Sequence, residues 1–297
     1  MTTKSCTGLD SFGDSPPHLG SLYPLFVEIL ALNHRDQTSI VLCNATACLF
    51  IHAGKTFLIT NWHVLAGRNA ENLTPLDRNL ATPYKIRVHF PLEKSPGECI
   101  EEIYCLNDER GNAVWLEHEL SNQIDVAALE IVPPAGIATF PVSDALPQIA
   151  NLSDYFYVTQ DVWVIGYPLG LRIKTMPIWK RATIAAEPAF SSAIHKHKIY
   201  LDTATREGMS GSPALFVSKN PSTVAFDNRT QPVLFPTQKV LLGIYSGRIP
   251  GEDQYSAQLA IVWSAAAILE IIIGGQKYDP NQPFGAGKVN AVKKPKA

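Results

Sequence analysis

The sequence predicts an all-β protein: two packed six-stranded antiparallel β-barrels followed by one C-terminal helix. Three features carry this expectation. Short apolar runs separated by turn residues recur along the chain and fall into two series. A proline-containing stretch of weak periodicity divides them. The last apolar run is preceded by a serine and followed by two glycines, the punctuation of a helix. We place a polar leader at 1–20, a first barrel at 21–140, a second barrel with its helix at 141–275 and a basic tail at 276–297.

In the first series, runs at 47–52 and 56–60 flank Ala53-Gly54-Lys55, a hairpin signature with glycine in the turn. Residues 85–90 alternate, 113–116 form a short run, and 126–132 are rich in strand formers. The apolar stretch 22–32 carries Glu28 and lacks the basic flank and small-residue cleavage site of a secretory signal. Pro133-Pro134 opens a linker-like stretch to about Asp154. The second series comprises 161–166, 181–186, 198–202, 214–217, 240–245 and 258–263, with 219–238 as a long surface loop. Ser264 stands at the N-cap of a helix over 265–273, which Gly274-Gly275 ends. The stretch 257–273 falls short of a bilayer span and is interrupted by Gln258, Ser264 and Glu270, so a strand and a helix account for it.

Composition narrows the function. Twenty-five basic and 27 acidic residues give a net charge of -2, which offers neither nucleic acid nor an anionic membrane an electrostatic footing. Lys288, Lys293, Lys294 and Lys296 form a solvated basic end. Five scattered cysteines, Cys6, Cys43, Cys48, Cys99 and Cys105, are odd in number and read as free thiols in a reducing, cytoplasmic setting. None has a histidine at zinc-finger spacing, and His195-Lys196-His197 reads as a solvated turn, so no metal and no cofactor are expected. The sequons at Asn44, Asn72 and Asn228 matter only in a secreted protein.

Acyl transfer by a serine needs a nucleophile, a base, a carboxylate that orients the base, and donors for the oxyanion. Ser210 in Glu207-Gly208-Met209-Ser210-Gly211-Ser212-Pro213 is the nucleophile candidate. Its flanking glycines permit a tight turn, in which the amides of Gly208 and Ser210 converge on one point. His63, just beyond the run ending at Thr60, is the base candidate; Asp125, at the mouth of an apolar strand, is the carboxylate. Trp115-Leu116-Glu117-His118 precedes Asp125 and is expected to pack beside its strand.

In these segments the sequence resembles the trypsin-like serine peptidases, particularly the bacterial branch typified by the high-temperature-requirement proteases. The histidine motif is similar to Thr60-Asn61-Trp62-His63-Val64 and the aspartate motif to Asp125-Val126-Ala127-Ala128-Leu129. The serine motif is similar to Asp202-Thr203-Ala204 followed by Gly208-Met209-Ser210-Gly211-Ser212-Pro213. Val164-Ile165-Gly166-Tyr167-Pro168-Leu169-Gly170 resembles the turn opening the second barrel, and Leu242-Gly243-Ile244-Tyr245-Ser246-Gly247 the strand that pairs with substrate. The likeness spans about 40–273. It implies a chymotrypsin-like fold and a protein or peptide substrate, with Ser210 attacking, His63 shuttling the proton and Asp125 holding the imidazole. It also implies that Ala204 and Thr205 lie at the primary pocket, opposite Ala257, and that Ser246, Gly247 and Arg248 line the substrate. Ser246 would give Asp125 a second hydrogen bond. Ser212 departs from the family's glycine. Met209 stands where secreted relatives carry an activating aspartate, and no peptide-binding domain is expected after the helix. A silent homologue that binds a partner, and an esterase or amidase with the same triad, are the competing readings.

Overall fold

The protein is described from a computed structural model, which covers residues 19–33, 38–95, 97–146, 156–188, 197–217, 224–226, 232–234, 239–248 and 258–280. Strand β1 (Pro24–Leu32) pairs on one side with β2 (Ser39–His52) and on the other with β4 (Lys85–Pro91). Strand β3 (Lys55–Thr60) links β2 to β7 (Ala127–Ile131), while β5 (Cys99–Cys105) edges β4. Two short strands, β6 (Leu116–Glu117) and β16 (Gln276–Lys277), complete an eight-stranded antiparallel sheet, so the first layer has two more strands than expected. The second layer is a closed six-stranded barrel of β8 (Asp161–Gly166), β9 (Ile178–Ile184), β10 (Lys198–Asp202), β11 (Pro213–Val217), β14 (Lys239–Arg248) and β15 (Leu259–Ser264). A small hairpin, β12 (Val224–Phe226) and β13 (Pro232–Leu234), stands apart from both.

Side-chain alternation explains how one sheet serves two cores. Ala45, Ala47 and Leu49 of β2, Leu58 of β3 and Ala127 and Leu129 of β7 face a core that the first sheet wraps around. Their neighbours Cys48, Phe50, Phe57, Ile59, Val126 and Ala128 face outward. There they meet Ile165, Leu215 and Ile244 of the barrel and Ile268 and Ile271 of helix α2 (Ala265–Gly274). The barrel has its own core, which includes Val162, Leu201, Met209 and Tyr245.

The 53–55 hairpin forms as expected, with Ala53 and Gly54 both at positive φ in a two-residue turn. Strand β1 is buried on both faces, so it shows a continuous apolar run in place of alternation. Such a run does not by itself distinguish strand from helix. Its Glu28 receives hydrogen bonds from Arg87 at 2.8 Å and His89 at 3.2 Å. Ser264 sits at the N-cap of α2, but its hydroxyl makes no capping bond and instead meets His197 Nδ1 at 2.9 Å. The stretch read as a basic tail begins with β16, paired to β6. Residues 281–297, the bulk of the leader (1–18), Cys6, His195, Lys196, Asn228 and Ala257 lie outside the described residues. No described helix is long and apolar enough to cross a membrane.

Candidate functional site

His63 enters the site from a turn of helix that sequence periodicity does not reveal. The chain leaves β3 and winds directly into α1 (Trp62–Ala66), ending at Gly67, whose φ of 65° closes the C-terminus. Five residues are too few to hold a helix by propensity alone, so tertiary contacts must fix its orientation. Two of these come from Asp125. Its backbone carbonyl accepts from Asn61 Nδ2 at 2.7 Å, and its Oδ1 accepts the His63 backbone N–H at 2.8 Å.

The Asp125 Oδ2 accepts from His63 Nδ1 at 2.7 Å and also from the Ser246 hydroxyl. Only 5% of the carboxylate side chain is exposed, and these donors replace the water it gives up. Because Nδ1 donates, Nε2 carries the lone pair, and it lies 3.0 Å from Ser210 Oγ. The Ser210 hydroxyl hydrogen has a second acceptor in the Ser246 carbonyl at 3.1 Å. Ser246 reaches Asp125 because the β14–β15 register shifts between Tyr245 and Gly247. That bulge turns its side chain out of the regular alternation.

The segment before Ser210 is held by its carbonyls. A trans peptide places C=O and N–H on opposite sides. The Glu207 carbonyl accepts the Leu169 N–H at 2.6 Å, so the Gly208 amide points the other way. The Met209 carbonyl accepts the Ser212 N–H at 3.0 Å, so the Ser210 amide likewise points away from that turn. Among the described residues neither amide has an intramolecular partner, and both residues line the cleft that holds His63. Gly208 and Gly211 adopt φ of 86° and 85°, and a Cβ on either would lie within 2.3 Å of a backbone oxygen.

Thr46 clamps this loop, and no sequence pattern singled it out. Fully buried, it donates its hydroxyl to the Gly208 carbonyl at 2.8 Å and accepts the Tyr167 N–H at 3.3 Å. Its backbone N–H bonds the Ser210 carbonyl at 2.8 Å, and its own carbonyl receives the Thr60 hydroxyl at 2.8 Å. Met209 is buried in the barrel core. Ser212 fits in place of a glycine because Gly166 faces it: a Cβ on Gly166 would lie 2.0 Å from Ser212 Oγ.

The cleft has a volume of about 760 Å³ and runs from His63, Gly208 and Ser210 to Leu42, Cys43 and Arg78. Of the residues assigned to substrate, Ser246 and Gly247 lie on β14 beside Ser210, and Ala204 is half-buried. Thr205 is fully buried with its hydroxyl bonded to that of Tyr245. Arg248 ends β14, and its side chain lies outside the described residues.

His197, expected in a solvated turn, instead joins His118 on Glu270 of α2: their Nε2 atoms lie 3.1 Å and 2.8 Å from Glu270 Oε2. The Leu120 N–H donates to His118 Nδ1 at 3.0 Å, so the His118 proton sits on Nε2 and points at the carboxylate. A metal bound through that Nε2 would force the proton onto the nitrogen already facing an N–H. The trio is thus a hydrogen-bonded tie between the two layers. Burial works to raise the Glu270 carboxyl, but the hydrogen bonds it accepts from the two histidines outweigh it and hold it below its ordinary value.

A comparison with curated proteins found no match. The family model described as the trypsin-like peptidase domain matches residues 45–219, more than half of the chain. The matched span takes in β3, α1, β7, β8 and the Ser210 loop, and it carries His63, Asp125 and Ser210. By its sequence match, and with its closed six-stranded barrel packed on a second large sheet, this chain belongs to the trypsin-like peptidases.

Proposed function

We propose that the protein is a serine endopeptidase using His63, Asp125 and Ser210, with the amides of Gly208 and Ser210 as its oxyanion hole. The observation that carries this reading is the continuous relay from Asp125 Oδ2 through His63 to Ser210 Oγ, with contacts of 2.7 and 3.0 Å. Ser210 Oγ attacks the scissile carbonyl while His63 Nε2 takes its proton. Asp125 stabilises the imidazolium through Nδ1–H, and the two amides receive the charge that develops on the carbonyl oxygen. His63 then returns the proton to the leaving amine, and water repeats the cycle against the acyl-enzyme. The loop is held by Leu169, Thr46 and buried Met209, an arrangement that needs no ion pair with a freed amino terminus.

Neither Ala204 nor Ala257, the residues the family resemblance assigns to the primary pocket, is acidic, so cleavage after a small or medium apolar residue is favoured over cleavage after Arg or Lys. The motifs around His63 and Gly166 support the bacterial branch. The free thiols of Cys43, Cys48, Cys99 and Cys105 support a reducing compartment.

The test is fluorophosphonate labelling followed by mass spectrometry of peptide-library digests, comparing wild type with Ser210→Ala. Labelling and internal peptide cleavage are expected in the wild type. Ser210→Ala or His63→Ala should lower turnover on the order of 10⁶-fold, and the double variant should lose little more. An unlabelled wild type would favour a silent homologue; labelling with cleavage of small esters alone would favour an esterase.

A further inference from the structure

Glu117 is a buried acid that the relay does not use. It lies on β6, is 1% exposed, and among the described residues accepts hydrogen bonds only from neutral donors: Trp62 Nε1 at 2.6 Å, Ser121 Oγ at 3.0 Å and Gln276 Nε2 at 3.4 Å. Burial pushes its carboxyl up from the ordinary value against the pull of those bonds, with the Asp279 carboxylate adding to the rise. Burying a carboxylate without a cation is costly, and an apolar side chain would fill the same space more cheaply. The Glu117 donor at the shortest distance is the indole of Trp62, the residue immediately before His63.

We propose that Glu117 is a positioning residue for His63, acting through the Trp62 indole N–H. Helix α1 is five residues long, so the direction of the imidazole depends on what grips its first turn. Asp125 grips it on one side, through Asn61 and the His63 backbone N–H. Glu117 grips it on the other, through Trp62. Both anchors belong to one frame, because Glu117 pairs with Ala127 in the β6–β7 ladder, two residues beyond Asp125. The helix is therefore fixed relative to the carboxylate that its histidine must face. The C-terminal segment backs the same contact: Tyr278 stacks on Trp115 with ring centroids 4.6 Å apart and meets the Trp62 ring edge-on at 5.7 Å, while Gln276 completes the Glu117 shell.

This inference rests on His63 as the base, and its test separates the two. Steady-state kinetics on a cleaved peptide, and fluorophosphonate labelling rates, are compared for wild type, Glu117→Gln, Glu117→Leu, Trp62→Phe and the Glu117→Leu/Trp62→Phe double variant. Circular dichroism confirms folding at the assay temperature. Glu117→Leu should lower kcat about tenfold with KM within about twofold, the pattern of a misplaced catalytic group. Glu117→Gln keeps an acceptor and should retain at least about half of kcat. The double variant should lose little beyond either single one, because both remove the same hydrogen bond. If Glu117→Leu does not fold, Trp62→Phe, which keeps an aromatic ring and removes the donor, carries the test. Unchanged kcat in Trp62→Phe, a Glu117→Gln variant as impaired as Glu117→Leu, or losses that multiply in the double variant would each overturn the proposal. An unlabelled wild type would overturn the serine-peptidase reading and this inference with it. A labelled wild type whose Glu117→Leu and Trp62→Phe variants label equally fast would overturn this inference alone.

Discussion

Thr46→Val changes almost no volume and removes one hydroxyl, so it isolates the clamp on the Ser210 loop. That hydroxyl serves two partners, donating to the Gly208 carbonyl at 2.8 Å and accepting from the Tyr167 N–H at 3.3 Å. Valine leaves both without this partner in a fully buried setting. An orphaned buried polar group costs about 1–3 kcal/mol, and the longer bond belongs at the low end, so the variant should lose about 2–4 kcal/mol of stability. In a chain of this size each kcal/mol moves Tm by about 2 °C, giving a fall of about 4–8 °C. The effect on chemistry should exceed the effect on global stability, because the Gly208–Met209 peptide that is released lies between the two peptides whose Gly208 and Ser210 N–H groups face the cleft. If the loop then spends most of its time with the Gly208 amide turned away, labelling of Ser210 slows by about 10–100-fold. The assay is fluorophosphonate labelling as a time course, paired with a thermal melt. Thr46→Ser, which keeps the hydroxyl, should label within about threefold of wild type. A Thr46→Val protein that labels within twofold of wild type and melts within 1 °C of it would refute the clamp.

Other expectations follow from the same geometry. Gly211→Ala puts a Cβ 1.9 Å from the Thr46 carbonyl oxygen and 2.4 Å from the Thr60 hydroxyl at a φ of 85°, and should cost on the order of 4 kcal/mol and abolish labelling; a soluble variant with wild-type Tm would contradict this. Cys48 is fully buried, and that burial pushes its thiol well above the ordinary value, so iodoacetamide should modify it at pH 8 at least about tenfold more slowly than free cysteine, as read by peptide mass mapping. The Glu270 carboxyl is depressed in the folded state, so its contribution to stability is present above the unfolded carboxylate value and is lost as pH falls through the folded one. Glu270→Ala should therefore melt about 1–2 °C lower than wild type at pH 7, the small size reflecting a half-exposed side chain, with the gap holding down to about pH 4 and closing only below it. A gap that is constant with pH would assign the loss to packing.

The fold class and the relay residues were legible in the sequence because they depend on local chemistry. Alternation and turn residues mark the barrel strands: the runs at 161–166 and 198–202 match β8 and β10 residue for residue. A glycine-flanked serine, a histidine past a strand end and an aspartate at a strand mouth are likewise features of short segments. What the sequence left undecided depends on partners distant along the chain. Strand β1 is apolar apart from Glu28 because β2 and β4 cover its edges and both its faces are buried, and periodicity carries no trace of that. Helix α1 is too short to show a period. Thr46 looks like any strand threonine until the fold brings Gly208, 162 positions away, against its hydroxyl. Glu117 looks like a surface charge in a short apolar run until Trp62 closes over it. His197 looked solvated, but the packing of α2 places Glu270 against it. Periodicity and turn chemistry act between neighbours, so the sequence alone determined most barrel strands and nominated the relay residues. Burial and hydrogen-bond satisfaction act between strangers in the chain, so only the tertiary structure decided what holds those residues in place.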